Sequence, residues 1–125
     1  MNSKVTMVLR IILGLALLVF GLNKFLWFLP QPESLPEGAA NFMGALTGTG
    51  YMIKLIGTVE VVSGLLLLIN KWVPFALVLL APVVVNIIFY HLKFDPATIG
   101  PGALIAIIEI ILIYTNWDKL KSLFK

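Results

Sequence analysis

The chain has 125 residues and a net charge of +3, and 60% of its residues are hydrophobic while only 12% are charged. Soluble domains are about 45–50% apolar and about 25% charged, so this composition excludes a soluble globular domain, as well as disorder, collagen and a coiled coil. The chain contains no cysteine and one histidine, His91, which excludes cysteine-ligated iron–sulfur clusters, thiolate zinc sites and a bis-histidine haem.

Four long apolar segments predict four transmembrane helices, at residues of about 5–29, 52–69, 72–92 and 102–117. About 20 helical residues cross the roughly 30 Å hydrocarbon core of a bilayer, and the lack of alternation excludes membrane strands. The first segment contains Arg10 and is followed by no cleavage site of small residues, so we expect a retained helix and not a signal peptide. The predicted fold is an all-α integral membrane four-helix bundle forming a single domain, residues 1–125.

The connection between the first and second spans is long and has helical periodicity in its second half. Ser34 and Glu37 predict a capping box at the start of this helix, and Gly48 with Gly50 predicts its end. Its apolar face is formed by Ala39, Phe42, Met43 and Leu46. We therefore expect a short external amphipathic helix, which either rests on the lipid surface or acts as a lid over a cavity.

The distribution of lysines predicts the orientation in the membrane. The side that holds both termini carries Lys4, Lys71, Lys119, Lys121 and Lys125, whereas the other side carries Lys93 with Glu33, Glu37 and Asp95. Loops rich in Lys and Arg stay in the cytoplasm, so both termini are predicted to be cytoplasmic.

Five polar residues inside the spans are the candidate ligand-binding residues: Arg10, Lys24, Glu60, Asn86 and Glu109. An ionisable group at the bilayer centre costs at least about 2.5–3.5 kcal/mol, and Glu60 and Glu109 lie closest to the centres of their spans. At 100° per residue, each span places its polar and small residues on one face. We expect the four faces to meet inside the bundle, with glycines allowing close helix contact in the first and second spans.

Side-chain direction predicts the pairing of these groups, because side chains lean toward the N-terminus of their helix. Lys24 and Glu60 lean toward each other, so they are the preferred ion pair. Arg10 leans toward the side of the termini, where Asn116 and Asp118 are its candidate partners.

Glu109 has no lysine at its own depth. It is expected to be protonated or to bond Asn86 across the bundle, near a kink at Pro82. His91, on the other side of its helix from Asn86, is interpreted as an anchor at the membrane interface.

Arg10, Gly14, Gly21 and Lys24 in the first span resemble the opening of DoxX-family membrane proteins. Similar stretches follow at residues 41–46, 49–51, 60–64, 73–77, 80–87 and 89–92. The resemblance implies a four-helix protein of the bacterial inner membrane. Family members are associated with thiosulfate:quinone oxidoreductase subunits and with membrane redox complexes that handle oxidative stress. Relatives on a similar four-helix plan include small-molecule-binding and assembly-factor proteins of eukaryotic membranes.

The leading hypothesis for function is an accessory or anchoring subunit of a membrane redox system. Its polar pocket would hold a small hydrophobic ligand, either a quinone or a lipid, against the five candidate residues. No intrinsic cofactor is expected, and a quinone is the candidate bound molecule. The expected partners are the lipid bilayer, a membrane redox complex or another protein, and a second copy of the chain; no nucleic-acid motif is present.

Two alternatives remain open at the level of sequence. The first is a membrane adaptor or assembly factor whose polar core is purely structural. The second is a proton or ion pathway that uses Glu60 and Glu109 as relay carboxyl groups. The sequence has no nucleophile–base pair, metal-ligand cluster or nucleotide-binding loop, so an independent enzyme is the least supported hypothesis, and whether the chain has a catalytic activity stays open at this point.

Overall fold

Five helices of twelve or more residues form most of the computed structural model, which describes residues 2–30 and 34–124. They are α1 (Ser3–Leu26), α2 (Glu37–Gly48), α3 (Met52–Ile69), α4 (Val73–Phe94) and α5 (Gly100–Thr115), followed by the short α6 (Trp117–Leu120) and a 3₁₀ helix (Lys121–Phe124). These two ranges contain no strand, and the predicted all-α fold is confirmed. Glu33 and Lys125, which entered the charge distribution, lie outside the described residues.

Three of the helices, α1, α3 and α4, are each long and apolar enough to cross a membrane. With 16 residues, α5 is only about 24 Å long. It passes the same test together with the segment Trp117–Phe124, which is bent by 76° relative to it. The chain is therefore an integral membrane helical bundle in which the fourth apolar segment turns sharply near its end.

The four long helices form a ring in which α1 packs against α3 and α5, and α4 packs against the same two helices. The centre of the ring is a core of buried side chains, of which six leucines are completely buried: Leu13, Leu17, Leu67, Leu77, Leu80 and Leu112. We call the end of the bundle that carries the two chain termini the terminal end, and the end that carries α2 the loop end.

Glycine residues set the distance between α1 and α3, which form the most extensive contact in the bundle. A Cβ atom on Gly64 would lie 2.9 Å from the carbonyl oxygen of Gly14, and one on Gly21 would lie 2.9 Å from that of Gly57. Real Cβ atoms do not approach a carbonyl oxygen that closely, so each crossing needs a residue without a side chain. The predicted close contact through glycines is confirmed.

The α2 helix packs on the loop ends of α3 and α4. Its predicted apolar face is confirmed, since Ala39 is completely buried and the ring centroid of Phe42 lies 5.4 Å from Tyr90 and 5.5 Å from Phe94. The predicted capping box is wrong, because Pro36 occupies the N-cap position with no side-chain hydrogen bond. The helix thus covers the end of the bundle.

Two connections at opposite ends hold α4 in place. At the terminal end, Asn70 and Trp72 both have left-handed backbone angles, with φ of 57° and 51°, which makes the turn between α3 and α4 tight. At the loop end, Nδ1 of His91 lies 3.2 Å from the carbonyl oxygen of Asp95 and 3.3 Å from Oγ1 of Thr98. The Thr98 hydroxyl donates to the buried Asp95 carboxylate at 2.8 Å, so these three residues stabilise the turn into α5.

Candidate functional site

Lys24 and Glu60 form an ion pair between α1 and α3, with 2.6 Å between Nζ and Oε1. The pair lies beside the Gly21–Gly57 crossing, and a Cβ on Gly21 would be 3.0 Å from Cβ of Glu60. The close approach of the two backbones brings the lysine within reach of a carboxylate that is only 2% exposed. The predicted ion pair is confirmed.

Ser63 lies one turn after Glu60 on α3 and was not among the predicted polar residues. Its side chain is completely buried, and its hydroxyl has no hydrogen-bond partner among the described residues. A spacing of three residues places it on the same helix face as Glu60, which is the signal in the sequence that could have identified it.

Arg10 contacts main-chain carbonyl groups and neither of its predicted partners. Its Nη1 donates to the carbonyl oxygens of Leu67 and Leu68 near the end of α3, the second at 3.4 Å. The last carbonyl groups of a helix lack helical N–H partners and form the negative end of the helix dipole. The pairing of Arg10 with Asn116 or Asp118 is therefore wrong, and Arg10 stabilises the end of α3.

Asn86 lies on the outer surface of the bundle, and so does Pro82 one turn before it. The buried residues of α4 are Val73, Ala76, Leu77, Leu80 and Val84, which form the opposite side of the helix. The expectation that the polar face of α4 meets the other three inside the bundle is wrong, because the leucine-rich face of α4 buries more apolar surface. A bond between Asn86 and Glu109 is consequently also wrong.

Glu109 is buried near the middle of α5, with 2% of its surface exposed. Both of its carboxyl oxygens lack a hydrogen-bond partner among the described residues. It lines a groove of about 280 Å³ between α4 and α5, which we call the α4–α5 groove. All other lining residues are apolar: Ala81, Val84, Val85, Ile88, Phe89, Ala106, Ile110 and Ile113.

The α4–α5 groove faces the region that the bilayer would occupy. Val85, Phe89 and Ile110 at its rim are all more than half exposed, and they lie on the apolar outer surface of two membrane helices. The groove contains none of Arg10, Lys24, Glu60 or Asn86, so the structure brings only one of the five candidate residues to it. The apolar lining carries no distinctive sequence signal, and the glutamate is the only feature of the groove that the sequence reveals.

A larger cleft of about 910 Å³ opens at the terminal end and is lined by Arg10 together with residues such as Ser3, Asn70, Asn116 and Lys119. No group of three or more His, Cys, Asp or Glu side chains in residues 2–30 and 34–124 is arranged to hold a metal ion.

A sequence model of the DoxX family matches residues 5–92, which include nearly all of α1, all of α2 and α3, and nearly all of α4. The chain belongs to the DoxX family. No curated protein and no solved structure matches it. The matched region of this DoxX protein contains the Lys24–Glu60 pair, Arg10 and Asn86, whereas Glu109 lies beyond it on α5.

Proposed function

We propose that this DoxX protein is an accessory or anchoring subunit of a membrane redox system and holds a lipid-soluble molecule in the α4–α5 groove. The observation that carries the proposal is the carboxyl group of Glu109, which is buried in an otherwise apolar groove and has no hydrogen-bond partner among the residues that the structure describes. A buried polar group without a partner costs free energy. Because both carboxyl oxygens are covered by neighbouring atoms, the Glu109 side chain would turn toward the groove to meet a ligand carbonyl or hydroxyl group, which would supply that partner.

The shape and lining of the groove favour a ligand with one ring or head group and a long apolar tail. Its volume of about 280 Å³ is near the lower end of the roughly 300–1,000 Å³ of small-molecule pockets, so a tail would remain in the bilayer. In its neutral form a carboxyl group both donates and accepts hydrogen bonds, which suits the carbonyl groups of a quinone ring. A bound quinone would carry electrons and protons for a partner enzyme.

The other polar groups of the bundle have a structural role in this proposal. Lys24 and Glu60 join α1 to α3, and Arg10 stabilises the end of α3. The protein contributes binding and orientation through Glu109 and the apolar walls, and it exposes the groove to the bilayer from which the ligand enters. Because the chain contains no cysteine, electron transfer through a protein thiol belongs to a partner.

The proposal predicts that a short-tailed quinone binds the purified protein in nanodiscs and that Glu109→Leu weakens this binding about tenfold, the effect of one lost hydrogen bond in a buried site. The same substitution is expected to raise the melting temperature, because it removes a buried group without a partner. Ile110→Trp at the rim is expected to block the groove and abolish binding. Native mass spectrometry measures quinone binding, and thermal-shift titration measures the melting temperature and its change with quinone.

Ile107→Trp is the matched control for the blocking variant, because Ile107 is also exposed on α5 but does not line the groove. It should bind quinone as the unmodified protein does. Equal loss in both tryptophan variants, or no saturable quinone binding, would contradict the proposal. If a phospholipid displaces the quinone from the groove, the ligand is a lipid and the redox role is wrong.

We also infer that the protein lies in the bacterial inner membrane with both termini in the cytoplasm. Among the described residues, the terminal end carries Lys4, Lys71, Lys119 and Lys121 with Asp118, whereas the loop end carries Lys54 and Lys93 with Glu37 and Asp95. The excess of lysine at the terminal end supports this orientation under the positive-inside rule.

Single cysteines test the orientation, because the chain has no cysteine of its own. A membrane-impermeant maleimide added to intact spheroplasts is expected to label Ala97→Cys in the exposed loop-end turn and to leave Ser122→Cys unlabelled. Both positions are exposed in the structure, so both should react after lysis. If Ser122→Cys alone is labelled before lysis, both termini lie outside the cytoplasm and the inferred orientation is wrong.

A further inference from the structure

Asn86 places a side-chain amide on the lipid-facing surface of α4. It is residue 14 of the 22 in this helix, which puts it about 4 Å from the helix midpoint along the axis. Asn86 is exposed, and none of the side-chain hydrogen bonds of the described residues involves it. Lipid tails offer no hydrogen bonds, and the head groups lie about 15 Å from the bilayer centre, so lipid cannot satisfy this amide.

Pro82 creates a second polar defect on the same side of α4. Proline has no N–H group, so the carbonyl of Val78, four residues earlier, loses its helical hydrogen-bond partner. At 100° per residue, Pro82 and Asn86 lie about 40° apart on the helix surface. Apolar residues of the same outer side, Phe75 and Phe89, are 53% and 65% exposed. The outer side of α4 therefore combines an apolar surface with polar groups that need a protein partner.

We propose that a second copy of the chain covers this side of α4, with the two α4 helices parallel and the two Asn86 amides hydrogen-bonded to each other. All copies of a membrane protein share one orientation, so a two-fold axis between them runs along the membrane normal and equivalent residues meet at the same depth. An amide has both donor and acceptor groups, so Asn86 is complementary to its own copy across such an axis.

The geometry of the bundle is compatible with this contact. Helices that cross near Asn86 separate toward their ends, which leaves room for the two Lys93 side chains to extend into water at the loop end. Phe89 belongs to the outer side of α4 and also to the rim of the α4–α5 groove. The second copy would thus lie beside the opening of the groove.

The dimer is tested by single-molecule photobleaching in liposomes, with a fluorophore on Ser122→Cys and a series of protein-to-lipid ratios. We expect the fraction of two-step bleaching to rise as the protein becomes more concentrated in the membrane. Asn86→Leu is expected to weaken association about tenfold, the effect of interhelical amide bonds in membranes, whereas Asn86→Gln should retain most of it. Asn41→Leu removes an exposed amide from α2 and should have no effect.

Disulfide cross-linking locates the interface independently. Phe89→Cys on the outer side of α4 is expected to form a dimer under oxidation. Val19→Cys, also exposed and at a similar distance from its helix midpoint in α1, is not. A protein that stays monomeric at every ratio, an Asn86→Leu variant that associates as tightly as the unmodified chain, or cross-linking through Val19→Cys alone would each overturn the proposal.

Discussion

Replacing Lys24 by methionine is expected to destabilise the bundle by about 3–5 kcal/mol, the typical effect of removing one partner of a buried ion pair. The substitution leaves Glu60, which is 2% exposed, without the ammonium group that lies 2.6 Å from its Oε1. Methionine preserves much of the apolar stem, so the loss comes mainly from the charge. Unfolding in detergent mixtures with increasing SDS, followed by circular dichroism, measures the change.

Lys54→Met is the matched control, because Lys54 is an exposed lysine of α3 that takes part in none of the ion pairs of the described residues. It is expected to change stability by no more than about 0.5 kcal/mol. The double variant Lys24→Met/Glu60→Gln should recover much of the lost stability, since it removes both charges together. If Lys24→Met is as mild as Lys54→Met, the ion pair does not hold α1 to α3.

The Lys24–Glu60 pair was predictable because the sequence encodes the quantities that determine it. Helix direction follows from the order of the spans, depth follows from position within each span, and side chains lean toward the helix N-terminus. The glycines three residues from each member of the pair, Gly21 and Gly57, predict the close contact that brings the two chains together. Helix direction, depth, side-chain lean and glycine spacing were therefore enough to predict an ion pair between two helices that cross at that point.

The orientation of Asn86 could not be predicted in the same way. A helical wheel groups the polar residues of α4 on one side, but it does not determine which side packs against the other helices. In α4 the opposite side contains Ala76, Leu77 and Leu80, which are completely buried. The packing of these side chains determines the rotation of the helix, and the cost of the exposed amide is smaller than the apolar contact that would be lost.

The partners of Arg10 were missed for a different reason. The prediction considered only polar side chains, whereas Arg10 donates to main-chain carbonyl groups near the end of α3. Every helix end provides such acceptors, but which arginine reaches them depends on the tertiary arrangement. The α4–α5 groove could not be predicted from the sequence either. Eight of its nine lining residues are apolar, and apolar residues also form the lipid-facing surface of any membrane helix.

Replacing Gly64 by alanine is expected to destabilise the protein by about 2–3 kcal/mol through overpacking. The added Cβ would lie 2.9 Å from the carbonyl oxygen of Gly14 and 3.1 Å from the main-chain nitrogen of Leu18. Both neighbours are backbone atoms, so they cannot move aside by a change of rotamer, and α1 must shift away from α3. The same SDS unfolding experiment measures the loss.

Gly44→Ala is expected to change the stability in the opposite direction, because Gly44 is inside α2 and a Cβ there meets no atom within 4 Å. Alanine has the higher helix propensity, so this variant is expected to gain up to about 1 kcal/mol. A gain in both variants would show that α1 and α3 do not depend on a close backbone contact. The Gly21–Gly57 crossing, which brings Lys24 to Glu60, joins the same two helices as the Gly14–Gly64 crossing. Separating α1 from α3 would weaken both, so Gly64→Ala combined with Lys24→Met should cost less than the sum of the two single changes.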